Sequence, residues 1–154
     1  MPSSSAPVYG SVEEAIVAGY LGYWETRFAV NSSETDPDPN DPRLAAYAAD
    51  AQLATLVAET QRMRDAGERL AAPAEPHGFQ QVRVVSVDGD AAQVQECFVD
   101  DGLVVDRVTS AVLDDQVVTF NTTARLRQVD GVWKVTEIRV IQRGEGVSGC
   151  ALAN

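Results

Sequence analysis

The chain is poor in the residues that most often carry chemistry. It has one histidine and two cysteines among 154 residues. No ordinary His/Cys metal site can be assembled from so few, and no metal or cofactor is expected. No stretch approaches the ~18 apolar residues that span a bilayer as a helix, so membrane insertion is not expected. Positive charge is scarce, with 12 Lys+Arg against 23 Asp+Glu and a net charge of −11. So acidic a surface repels phosphate backbones, which removes nucleic acid from the expected partners. Gly-x-Ser-x-Gly, phosphate-loop and dinucleotide fingerprints are absent as well. What remains is an apolar fraction of 45%, enough for the core of one domain.

The first half has the period of helices. Ser11 and Glu14 form a capping box, and Val12, Ile16, Tyr20, Tyr23, Trp24 and Phe28 recur behind it at three- and four-residue steps. This helix is predicted to end near Asn31, before an acidic, proline-bearing loop to Asp41. Asp41-Pro42 starts a short helix, and a longer one runs from about Ala51 to Ala66, with Gly67 placed to stop it. Ala71 to Gly78 reads as a crossing that leaves His77 in an exposed loop. Strands are then predicted over 81–87, 91–99, 103–108, 116–128 and 132–142. Asp88-Gly89 and Asp130-Gly131 are tight-turn signals that imply an antiparallel meander. Residues 1–10 read as a flexible N-terminal segment and 11–150 as one α+β domain, helices packed on a curved antiparallel sheet.

Alternation selects the candidate site residues. Ala92, Val94, Glu96 and Phe98 share one strand face, and Gln93, Gln95, Cys97 and Val99 the other. The apolar face is the inward one, so Glu96 is either an enclosed acid or base, or a carboxylate near a sheet end that is solvated or paired with an arginine. Val118, Phe120, Thr122, Ala124 and Leu126 share a face in the next long strand. In the last strand both faces mix polar and apolar groups, so Glu137 and Arg139 either lie on a pocket floor or pair across strands. The run from Glu34 to Asp41 lacks the spacing of a calcium loop. Asn31-Ser32-Ser33 and Asn121-Thr122-Thr123 match the short glycosylation pattern.

Helix-then-sheet order, the Tyr20-Leu21-Gly22-Tyr23-Trp24 cluster, the Val84 to Asp90 strand and turn, and Gly131-Val132-Trp133-Lys134-Val135 together resemble the NTF2-like superfamily. That superfamily includes SnoaL-like cyclases, ketosteroid isomerases and limonene epoxide hydrolases. The resemblance covers about residues 11–143 and is nearest to uncharacterised actinobacterial members, many of them exported or lipid-anchored. It implies a cone-shaped fold with an internal apolar pocket, lined here by Tyr20, Tyr23, Trp24, Phe98 and Phe120. A small hydrophobic molecule is the implied partner, with a homodimer through the sheet as a second. The competing reading is a small isomerase or epoxide-hydrolase-like enzyme, with Glu96, Tyr20 and Glu137 as its candidate catalytic groups. The epoxide hydrolases' aspartate–arginine pair is not matched, because Asp106 and Arg107 are adjacent and point to opposite strand faces. The Ser/Ala/Pro-rich start lacks a signal-peptide pattern, which leaves a cytoplasmic protein and an exported one whose signal has been removed both open. An even cysteine pair, that start and the resemblance favour an extracytoplasmic chain with a Cys97–Cys150 disulfide.

Overall fold

The computed structural model describes residues 11–76 and 78–147. The first ten residues, His77 and Cys150 lie outside them. Extended Ser11 caps α1 (Val12–Asn31), its Oγ accepting from the Glu14 backbone N–H at 3.1 Å. The buried stripe is Ile16, Tyr20, Tyr23 and Val30, joined by Gly19 and Gly22. Phe28, expected in that stripe, is 40% exposed at the end of the helix. Asn31 is fully buried and donates to Thr60 Oγ1 at 3.3 Å, which ties α1 to the next helix and takes its sequon away from the surface.

The restart at Asp41-Pro42 is a single 3-10 turn (Pro42–Ala45), capped by the Asp41 carboxylate. Hydrogen bonding to Arg43 holds that carboxyl below its usual range. Helix α2 (Asp50–Ala66) stops at Gly67, whose φ of +69° is the left-handed conformation glycine adopts at no steric cost. The acidic loop is tethered as well as solvated. Buried Arg107 pairs with Asp36 at 2.8 Å while donating to the Met63 and Glu68 carbonyls, so it joins the loop to the end of α2.

Four long strands form the main antiparallel sheet in the order β2-β3-β6-β7: β2 (Gln80–Asp88), β3 (Ala91–Asp100), β6 (Val118–Val129) and β7 (Val132–Glu145). The expected simple meander is corrected at its middle. After β3 the chain leaves the sheet and builds a second one, β1-β4-β5, from Glu68–Ala71, Leu103–Asp106 and Val112–Asp114. Strands β1 and β5 have four and three residues, too few for alternation to register in the sequence. Asp130 and Gly131 both have positive φ, as a type I′ hairpin requires, whereas the first hairpin closes one residue later than expected, on Gly89-Asp90.

Strand β7 explains its own mixed pattern. Leu126 faces Val135 but Arg125 faces Glu137, so Thr136 is an extra residue, and Ile141 is a second one further on. Each insertion flips the alternation. The row facing the helices is therefore Val135, Ile138, Val140 and Arg143, and Glu137 is turned away from it. Helices α1 and α2 cover only that inner face, over a core of Ile16, Tyr20, Leu44, Leu56, Val94, Leu126 and Val135. The fold is the expected α+β class, helices packed on one face of a curved antiparallel sheet. Among the described residues no helix is long and apolar enough to cross a membrane.

Candidate ligand site

The inward face of β3 does carry Glu96, and the carboxylate is fully buried. Three elements supply its partners. Tyr20 of α1 donates its hydroxyl to Oε1, Gln80 at the start of β2 donates its amide to Oε2, and Thr122 of β6 donates to Oε1 at 3.4 Å. Thr122 sits directly across from Glu96 in the β3–β6 register, and Val82 flanks it on the β2 side. Burial is the largest influence on the Glu96 carboxyl and raises its pKa, while the three donors oppose the rise. Burial, followed by the neighbouring Glu96 charge, pushes the Tyr20 hydroxyl far above its ordinary range. Tyr20 is therefore a hydrogen-bond donor at neutral pH, and burial makes Glu96 hold its proton more tightly than an exposed glutamate does.

In front of this group lies an aromatic wall. Trp24 meets Tyr23 and Tyr20 edge-on, with ring centroids 5.0 and 6.3 Å apart, and tilts against Phe98 at 5.6 Å. Phe98 stacks on Phe120 at 5.1 Å. A cleft of about 440 Å³ opens against Trp24 and Phe98, with Phe28, Phe79 and Gln80 on its other walls and Asp100 and Asp101 at its rim. A second recess of about 270 Å³ adjoins it, between Phe28, Phe120 and Arg143.

The expected site is thus brought together only in part. Trp24 and Phe98 line the cleft, and Phe120 lines the adjoining recess. Tyr20 and Glu96 are neighbours, but both are fully buried and neither lines the cleft; Gln80 stands between Glu96 and the opening. Tyr23 is core, its hydroxyl accepting from Gln52 at 2.7 Å. Glu137 is on the outer sheet face, paired with Arg139 at 3.0 Å, because the Thr136 bulge turns it there. Asp106 binds the turn amides of Val108 and Thr109. Cys97 is fully buried on the outer face and is not a free thiol, while its expected partner Cys150 lies outside the described residues.

No family profile and no curated protein matches the chain. Solved structures do. The intermembrane space region of chloroplast protein ARC6 superposes with a TM-score of 0.60 at 18% identity, covering 87% of this chain and 98% of that one. A hexachlorocyclohexane dehydrochlorinase (LinA) type 2 gives 0.49 at 11% identity, covering 90% and 93%. Likeness at such identities concerns the fold alone. Chemistry has to be read from the site.

Sequence reasoning missed Phe28, Phe79, Gln80, Asp100 and Asp101 among the residues of the cleft. Phe79 and Gln80 stand just before the predicted strand, where no alternation had begun. Asp100 and Asp101 look like ordinary turn residues. Among the described residues no cluster of His, Cys, Asp and Glu could hold a metal ion.

Proposed function

We propose that the protein binds a small hydrophobic molecule in the cleft between Trp24, Phe28, Phe79 and Phe98. One observation carries this over catalysis: Glu96, the best acid–base candidate, is fully buried, is held by Tyr20, Gln80 and Thr122, and sits behind Gln80. A general base needs a free lone pair within reach of substrate, and this carboxylate serves better as a fixed polar floor. Phe28 and Phe79 are 40% and 41% exposed at the mouth, an apolar surface that a ligand would cover. The enzyme reading keeps one supporting feature, the raised pKa of Glu96 beside Tyr20.

The neutral fluorophore N-phenyl-1-naphthylamine tests the binding reading. Its emission is expected to rise on mixing with the protein. Phe28→Ser and Phe79→Ser are each expected to weaken binding about tenfold, since half-covering a phenyl ring is worth roughly 1.5 kcal/mol. Both positions are exposed enough that the fold should survive. Unchanged emission with the parent protein, or equal affinity in both variants, would remove the cleft from consideration.

Extracytoplasmic residence and the Cys97–Cys150 bridge belong to the same reading. They are supported by Cys97 being buried and not a free thiol. Intact mass without reductant is expected to be two hydrogens below that of the reduced chain, and two alkylatable thiols would return the protein to the cytoplasm. The homodimer finds less support. Arg83, Gln95, Thr123 and Arg139 form one polar cross-strand row on the outer face, which offers a second copy no apolar surface to bury.

A further inference from the structure

We infer that the ligand is a linear molecule, a long-chain aliphatic alcohol, that threads from the cleft into the adjoining recess; this rests on the cleft being a binding site. The two hollows, of about 440 and 270 Å³, share Arg27, Phe28, Ala71, Asp100 and Gly102 in their linings, so these residues form a waist between them. Ala71 and Gly102 bring only a methyl group and a hydrogen to that waist, which suits a narrow polymethylene chain. Its charged groups are turned to other partners. Glu59 holds Arg27 at 2.7 Å, and Asp100 accepts from the Gly102 backbone N–H at 3.0 Å. The apolar lining continues past the waist. Phe98 of the cleft stacks on Phe120 of the recess at 5.1 Å, and Leu70, Leu103 and Val118 extend the recess wall. A compact ligand fills one hollow, whereas a chain buries apolar surface in both.

The recess also fixes the polar end of the ligand. Arg143 and Asp114 both line it, and neither makes an ion pair among the described residues. Asp114 accepts from the Gln116 backbone N–H at 2.9 Å, and the Arg143 guanidinium lies 6.0 Å from the Phe120 centroid. A guanidinium only donates hydrogen bonds, and a carboxylate only accepts them. A hydroxyl does both. One alcohol head therefore serves Arg143 through its oxygen and Asp114 through its hydrogen. An anionic head would meet Asp114, and a cationic head Arg143, each a contact between like charges. The net charge of −11 further disfavours an anion.

Displacement of N-phenyl-1-naphthylamine by 1-hexanol, 1-octanol, 1-decanol and 1-dodecanol tests the threading. A buried methylene changes affinity about fourfold, so dodecanol is expected to act at a concentration roughly a hundredfold or more below hexanol. Ala71→Leu narrows the waist and should shrink that ratio by about tenfold, the equivalent of two methylenes kept out of the recess. Gly102→Ala adds one methyl group at the same place and should shrink it less. A ratio unchanged in both variants confines the chain to the cleft and overturns the threading. Three decyl compounds test the head. 1-Decanol is expected to displace the fluorophore from the parent protein at lower concentration than decanoate or decylammonium. Asp114→Asn should narrow its lead over decanoate, and Arg143→Gln its lead over decylammonium, each by about fivefold, the effect of one charge at 4 Å in water. A lead that holds in either variant, or a charged compound that acts better than decanol on the parent, overturns the alcohol assignment. If the fluorophore itself fails to bind, the cleft reading falls and this inference falls with it.

Discussion

Glu96→Leu is expected to lower the free energy of unfolding by about 3 kcal/mol, although leucine fits an apolar face. The Tyr20 and Thr122 hydroxyls are fully enclosed and both donate to Oε1. Leucine leaves both without an acceptor, and a buried donor stripped of its partner costs roughly 1–3 kcal/mol. Gln80 is exposed and can turn to water, so its share of the loss is small. Glu96→Gln keeps an oxygen for Tyr20 and Thr122 and should cost only about 1 kcal/mol, a typical net hydrogen-bond value. The glutamine variant also isolates the charge. Burial raises the folded-state pKa of Glu96 above its ordinary 4.5, so the folded chain holds this proton more tightly than the unfolded chain. The stability that Glu96 contributes is then complete below pH 4.5 and is lost as pH rises through the higher folded value. Urea unfolding of parent and Glu96→Gln across that range should show the parent's advantage shrinking as pH increases. A difference that stays level or grows would mean the three donors outweigh burial, with Glu96 ionised in place.

The inward placement of Glu96 is legible in the sequence, because β3 alternates without interruption from Ala92 to Phe98 and period two assigns each side chain a face. Thr122 is legible for the same reason in β6. Strand β7 is not. Two inserted residues, Thr136 and Ile141, reset its faces, and an extra residue leaves no mark in composition or local propensity. That is why Glu137 reads equally as pocket floor and as surface pair. The cleft is the hardest part to foresee, since Phe28, Phe79, Asp100 and Asp101 come from a helix end and two strand termini. Nothing periodic links such positions; only the closed fold sets them around one opening. Helix starts were easier, as with Ser11, because a cap acts within three residues.

Gly19→Ala is expected to destabilise the protein by about 3 kcal/mol, opposite in sign to the usual effect of that exchange within a helix. Alanine is favoured over glycine in a helix interior by roughly 1 kcal/mol, so an open site would gain stability. Gly19 is not open. A Cβ there would stand 2.4 Å from the Trp133 carbonyl oxygen and 2.9 Å from the Trp133 Cβ, because α1 crosses β7 with nothing between them. Backbone atoms of a paired strand cannot swing aside, so the helix must lift, and overpacking of this kind costs roughly 1–3 kcal/mol or more. Gly22→Ala is the informative contrast. Its added methyl would stand 2.9 Å from the Tyr47 ring, a side chain that is only half-buried and can rotate. Its cost should be well under half that of Gly19→Ala. Thermal unfolding separates them: about 10 °C lower for the first and a few degrees for the second, at roughly 3 °C per kcal/mol for a chain of this size. Lifting α1 also moves Tyr20, the next residue, away from Glu96, and Trp24 away from Phe98. Fluorophore affinity should therefore fall in Gly19→Ala below the melting transition. A variant as stable as the parent would show that α1 can leave β7 at little cost and that the site does not depend on their contact.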